Sequence, residues 1–207
     1  MVDVIAFELN SFVDNENMKK ICSEELMNSL AKFDLKISKD QGANIFNRLC
    51  KKYEWDDPAI LKEFLLKIEG KVDEKKLGRA LISFRNIITN MVVPFSGIKT
   101  IVNKLKENGI DLVLFGNRSK VKLWMWLASM GLDDNFKYVF GDEDSLKLLK
   151  DTYKREDKQI LLVGADNEII KKAKRNGMLT CFARYANLAE GKGNADFEVR
   201  TVSELGE

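Results

Sequence analysis

Apolar and polar positions fall into two textures along the chain. Val2 to Phe7 is a short β-branched and apolar segment, read as a buried strand. From about Glu16 to Asn90, charge mixes with apolar residues at helical spacing. Ile21, Leu26 and Leu30 form one set, and Ile45, Phe46 and Leu49 a second. Leu61, Phe64, Leu65 and Ile68 follow, then Leu77, Leu81, Phe84 and Ile88, with Asp56-Asp57-Pro58 and Gly70 as breaks. This stretch predicts a helical insertion without a strand.

After Pro94 the texture changes again. Ile98, Ile101, Val102 and Leu105 fall at i, i+3, i+4 and i+7, and Asn108-Gly109 stops that helix. Strand-sized runs then alternate with helices. The strands are Ile110 to Phe115, Tyr138 to Phe140, Ile160 to Val163, Leu179 to Phe182 and Phe197 to Val199. The helices run from Gly116-Asn117 through Leu127, over Leu146 to Tyr153, and from Asp166 to Asn176-Gly177. Such alternation implies parallel pairing with right-handed crossovers, hence an α/β fold with a doubly wound, mostly parallel Rossmann-like sheet. Residues 1–15 and 91–207 are expected to form its core and residues 16–90 the insertion. Ligands of such sheets bind outside the carboxyl ends of the strands, so the residues after Phe7, Phe115 and Val163 should converge on one crevice.

Composition narrows the chemistry. The 207 residues hold 34 Lys+Arg, 32 Asp+Glu and no histidine, for a net charge of +2. Without imidazole there is no Ser-His-Asp or Cys-His catalysis and no His-ligated metal. The basic pairs are interspersed with acids, so nucleic acid is not expected as a partner. Cys22, Cys50 and Cys181 are three, widely spaced and without a CxxC pair, and read as thiols in a reducing compartment. Met1 to Asn10 contains Asp3 and Glu8, unlike a signal peptide, and no apolar run has the length of a membrane span. A cytoplasmic protein without a membrane partner is expected.

The three strand exits read Glu8-Leu9-Asn10-Ser11, Gly116-Asn117-Arg118-Ser119 and Gly164-Ala165-Asp166-Asn167. With the Pro94-Phe95-Ser96-Gly97 turn and the rhythm through Gly131-Leu132, the chain resembles the haloacid dehalogenase-like superfamily, subfamily I. The resemblance covers nearly the whole sequence and implies that the insertion is a helical cap domain. It also implies where chemistry would sit. The family's aspartate nucleophile falls on Glu8 and its aspartate acid on Asn10. The phosphate-binding Ser or Thr falls on Gly116, beside Asn117 and Arg118. The lysine of the third motif falls on Lys147, with Lys150 as the alternative. The acidic magnesium ligands fall on Ala165 and Ile169, leaving Glu8 and Asp166 as candidate metal ligands. Asp166 also reads more simply as a helix N-cap.

A glutamate displaces the attacking oxygen, Asn10 cannot exchange a proton, and alanine and isoleucine offer magnesium no oxygen. The expectation is therefore a pseudoenzyme with no cofactor, serving binding, regulation or assembly. The alternative is an atypical but active phosphatase of a small phosphorylated metabolite using Glu8, with magnesium as cofactor and Asp14, Asp166 or Glu168 supplying oxygens. The crevice is expected to take a small anionic ligand or phosphate. The insertion, or the helix carrying Trp124 and Trp126, is expected to meet a protein partner or a second copy. That helix also reads as a core element apolar on several sides.

Overall fold

A computed structural model describes residues 2–33, 37–141, 145–154, 156, 158–191 and 193–206. In chain order the elements are β1 (Val4–Glu8), α1 (Leu9–Phe12), α2 (Asn15–Leu30), α3 (Lys39–Leu49), α4 (Ala59–Glu69), α5 (Glu74–Met91) and α6 (Ile98–Glu107). There follow β2 (Asp111–Gly116), α7 (Lys120–Met130), β3 (Tyr138–Gly141), α8 (Ser145–Lys154), β4 (Ile160–Gly164), α9 (Asn167–Arg175), β5 (Leu179–Ala183) and β6 (Phe197–Val199). The chain divides into two compact units, Met1–Asp14 with Val93–Glu207, and Asn15–Val92.

The first unit is built on a six-stranded sheet of order β3-β2-β1-β4-β5-β6, with every neighbouring pair parallel. This is the doubly wound α/β sheet expected from the strand–helix alternation. The chain lays strands outward in one direction through β2 and β3, then returns to β4 and proceeds the other way. The reversal falls between β1 and β4, where Phe7 pairs with Val163. All five residues of β1 are buried, which is why it reads as a near-continuous apolar run. It starts two residues later than Val2 and extends one past Phe7, so that Glu8 is its last residue.

On one face of the sheet, Val4, Ala6, Val113, Phe115 and Leu162 pack with Leu149, Tyr153, Ile170 and Ala173 of α8 and α9. Elsewhere in this core Phe12 meets Phe7 and Phe136 edge-on, with ring centroids 5.6 and 5.5 Å apart. In α6 the four residues Ile98, Ile101, Val102 and Leu105 are all buried, as their spacing predicts. Helix α7 is half of what was expected. Leu123, Trp126, Leu127 and Met130 are buried, but Val121 and Met125 are exposed and Trp124 lies between.

The second unit consists of α2 to α5 with a 3-10 turn at Ala31–Phe33, and no strand among its described residues. Leu26, Leu30, Phe46, Leu49, Ile60, Leu61, Phe64, Leu65 and Phe84 fill its interior. Ile21, expected inside, is exposed, and the adjacent Cys22 takes the buried position. Two starts are fixed by side chains: Ser38 and Gln41 form a capping box on α3, and Asp73 accepts from the Lys75 and Lys76 amides on α5. Trp55 Nε1 donates to Asn15 Oδ1 at 2.7 Å. Among the described residues no helix is long and apolar enough to cross a membrane.

Candidate functional site

Glu8 ends the central strand with its side chain buried, 5% exposed. Two groups hold the carboxylate. Ala165 N–H, at the exit of β4, donates to Oε2 at 2.7 Å, and Asn10 Nδ2 donates to Oε1 at 3.1 Å. The strand position below Ala165 is tightly bordered. A Cβ on Gly164 would stand 3.3 Å from Glu8 Oε2 and 3.2 Å from Leu162 Cδ2. Burial pushes the Glu8 carboxyl up to about 7, and the charge of Asp166 adds to that. The Ala165 amide, Asn10 and the Asp166 amide pull the other way without overcoming desolvation.

At the exit of β2 there is little room for a side chain at position 116. A Cβ on Gly116 would lie 2.9 Å from Leu9 Cβ, so the α1 turn directly after Glu8 occupies the space that a serine or threonine would need. Only the Gly116 backbone faces this exit. Asn117 is exposed, and its Oδ1 accepts from Arg118 Nη1 at 3.0 Å. Arg118 is 3% exposed, with its guanidinium 5.9 Å from the centre of the Trp126 ring. Its charge is thus seated against α7.

At the exit of β4, Asp166 caps α9, accepting from Glu168 N–H at 2.6 Å. Ile169 packs against the sheet core and Ala165 is buried. Lys147 is exposed in the first turn of α8. Because α8 follows β3 and runs back antiparallel to it, that turn lies toward the carboxyl end of the sheet. Lys150, one turn on, instead borders a cavity of about 480 Å³ with Tyr153, Lys158 and Lys174. Ile160 and Leu179, the first residues of β4 and β5, line the same cavity, which places it at the opposite end of the sheet from Glu8.

Three more residues complete the arrangement, and the sequence reading missed two of them, Tyr185 and Asn187. Ser11 Oγ is buried and lies 2.7 Å from the Glu8 carbonyl and 2.9 Å from that of Val163, bridging β1 and β4. From the loop after β5, Tyr185 Oη donates to the Ser11 carbonyl at 2.8 Å, and Asn187 Nδ2 to the Ala165 carbonyl at 2.9 Å. The one available signal was topological: a loop leaving β5 emerges at the same end of the sheet as Glu8.

The donors can be tested against magnesium, which takes hard oxygens in near-octahedral array. Among the described residues no three Asp, Glu, His or Cys side chains gather around a common point. Both Glu8 oxygens accept N–H bonds, Asn10 turns its Nδ2 to Glu8, Ala165 has no side-chain oxygen, and Asp166 caps α9. These side chains do not fit a preformed magnesium cage.

Comparison with known proteins places this architecture. The family of haloacid dehalogenase-like hydrolases matches residues 17–183. The glyceraldehyde 3-phosphate phosphatase of Methanocaldococcus jannaschii is 24% identical over 221 aligned residues, covering 99% of this chain and 96% of that protein. Among solved structures, a protein described as a β-phosphoglucomutase of Thermotoga maritima superposes with a TM-score of 0.70 at 14% identity, covering 99% and 97% of the two chains. The magnesium-bound HAD-hydrolase YfnB of Bacillus subtilis gives 0.66 at 17%, covering 99% and 96%. These findings overturn the expected pseudoenzyme, since the relative aligned along nearly its whole length is named a phosphatase. At the end of β1 the structure carries a buried carboxylate, Glu8, held by the Ala165 amide after β4. The chain belongs to the haloacid dehalogenase-like hydrolases.

Proposed function

We propose that the protein is a phosphatase of a small phosphorylated metabolite, with Glu8 as its reacting carboxylate. The observation that carries this reading is the burial of Glu8 at the end of the central strand, beside the reversal of strand order, with the Ala165 amide fixing one oxygen. The relative from Methanocaldococcus jannaschii supports glyceraldehyde 3-phosphate as the first ester to assay.

In this reading ionised Glu8 bonds to phosphorus as the bond to the leaving alcohol breaks. The departing oxygen takes its proton from water, because Asn10 has none to give. Water then attacks the phosphorus of the glutamyl phosphate, releasing inorganic phosphate and restoring the carboxylate. Asn10 orients Glu8 through its bond to Oε1. The Gly116 and Asn117 amides ahead of α7 offer donors to phosphate oxygens, with Arg118 behind them and Lys147 at the start of α8 as cations.

The test is phosphate release by purified protein from a panel of small phosphate esters, with and without magnesium. Glu8→Gln is expected to lower the rate about a hundredfold or more. Release from no ester, or release unchanged in Glu8→Gln, would refute the proposal.

A further inference from the structure

The cavity of about 480 Å³ at the amino end of the sheet has no part in the phosphatase reading. Four lysines line it from three places in the fold: Lys150 and Lys154 on α8, Lys158 just before β4, and Lys174 on α9. Among the described residues that line it, Asp196 is the one acid, and its oxygens are taken. Oδ1 accepts from Lys174 Nζ at 2.8 Å, and Oδ2 from the Thr180 amide and hydroxyl at 2.9 and 2.8 Å. Lys158 bridges Asp111 Oδ2 and Glu156 Oε2, both at 2.8 Å.

Lys150 and Lys154 are left over. Neither has a carboxylate within ion-pair distance among the described residues. They stand four residues apart on one face of α8, a spacing at which like charges repel. Helix ends favour a cation in the last turn, and Lys154 supplies one to α8 as Lys174 does to α9; Lys150 comes too early to serve that purpose. Donors are in excess as well. An ammonium carries three N–H groups, of which Lys158 commits two to carboxylates, Lys174 one, and Lys150 and Lys154 none. The Tyr153 hydroxyl, fully buried in the same lining, completes no hydrogen bond among the described residues; Asp111 lies near it but already holds Lys137 and Lys158.

We propose that this cavity is a binding site for a small polyanion with two or more adjoining phosphate groups, held by Lys150 and Lys154 from α8 and by Lys174 from α9. Ile160, Met178 and Leu179 supply low-dielectric walls, which concentrate the field of the ammonium groups. Lysines act on phosphate as separate point charges, and a single phosphate would leave some of these unanswered. The volume lies within the range of about 300–1,000 Å³ usual for small ligands. Because the cavity is at the end of the sheet away from Glu8, the proposal is independent of the phosphatase reading.

The experiment titrates inorganic pyrophosphate into the 15N-labelled protein at low salt without divalent metal, following backbone amides. Those of residues 150, 153, 158–160 and 176–179 are expected to move together on one binding curve. Substituting Lys150→Ala and Lys154→Ala together is expected to weaken binding about tenfold or more. The paired control Lys99→Ala with Lys171→Ala removes the same charge from exposed positions outside the cavity, and is expected to change affinity less than about twofold. Inorganic phosphate is expected to bind about tenfold more weakly than pyrophosphate. Amides that stay in place at millimolar pyrophosphate would overturn the proposal. Equal weakening by the control pair would do so too, marking a general attraction to positive charge, and equal affinity for phosphate would overturn the polyanion class. Movement confined to residues 8, 116–119 and 165–167 would put the anion at the Glu8 crevice, overturning this site while supporting the phosphatase reading.

Discussion

The Ala165 amide donates to Glu8 Oε2 across 2.7 Å, joining the exit of β4 to the last residue of β1. That bond stabilises the charged form of Glu8, while burial opposes it and wins, leaving the carboxyl near 7. The folded value thus lies above the ordinary 4.5. The native state then binds more protons than the unfolded chain between those values, so stability falls as pH rises through that window. The decline amounts to about 3 kcal/mol once Glu8 is fully ionised. Glu8→Gln has no charge to bury and should escape it. Denaturant unfolding of both proteins from pH 4.5 to 8.5 checks this: wild type is expected to lose ground to Glu8→Gln as pH rises. Parallel curves would contradict the assignment.

Gly116 is a steric consequence of Leu9. A Cβ at position 116 would stand 2.9 Å from Leu9 Cβ, and Leu9 is buried with little room to retreat. Gly116→Ala is expected to cost about 1–3 kcal/mol. Leu9→Ala leaves its Cβ in place but frees the turn to shift, so the double variant should be less destabilised than the sum of the singles. Strict additivity in a double-mutant cycle would show that the two residues do not compete for space.

Much of the fold was legible because the sheet is buried on both faces. A run such as Ile110 to Phe115 has no other reading, and the observed β2 differs from it by one residue at each end. Legibility failed where spacing gave no single face. In α7, consecutive Leu123 to Leu127 leaves the buried side undefined, and packing alone decided that Met125 faces outward. At the site, Glu8 was found by its place at a strand end. Tyr185 and Asn187 were not, because they bond to backbone carbonyls, and a backbone acceptor imposes no residue type on its neighbours. The expectation of lost activity was drawn from the side chains at the three strand exits, and the phosphatase relative overturns it.

Asp111, at the amino end of β2, is held by two lysines. Partial burial works against its charge, but Lys137 and Lys158 each donate to Oδ2 at 2.8 Å and bring its carboxyl below the ordinary value. A depressed carboxyl contributes stability above its unfolded value and loses it as pH falls through the folded one. Asp111→Asn is expected to cost about 1 kcal/mol at pH 7 and less near pH 3, with the difference reduced in high salt. Chemical denaturation at the two pH values, in low and high salt, measures it. A cost independent of both would point to lost packing rather than lost charge.

The Asp166 side chain has two separate effects, and one substitution tells them apart. It caps α9 through the Glu168 amide, and its charge raises the Glu8 carboxyl. Asparagine caps a helix about as well as aspartate, whereas alanine forfeits about 1 kcal/mol. Asp166→Asn should therefore keep the fold while removing a negative charge near Glu8. With that charge gone the Glu8 carboxyl falls below about 7, and more of it is ionised at pH 6. If ionised Glu8 is the reacting form, the acid limb of kcat against pH should move to lower pH in Asp166→Asn, and the rate at pH 6 should rise relative to that at pH 8. Asp166→Ala should show the same displacement with a lower melting temperature. An acid limb unmoved in both variants would mean that some group other than Glu8 governs it.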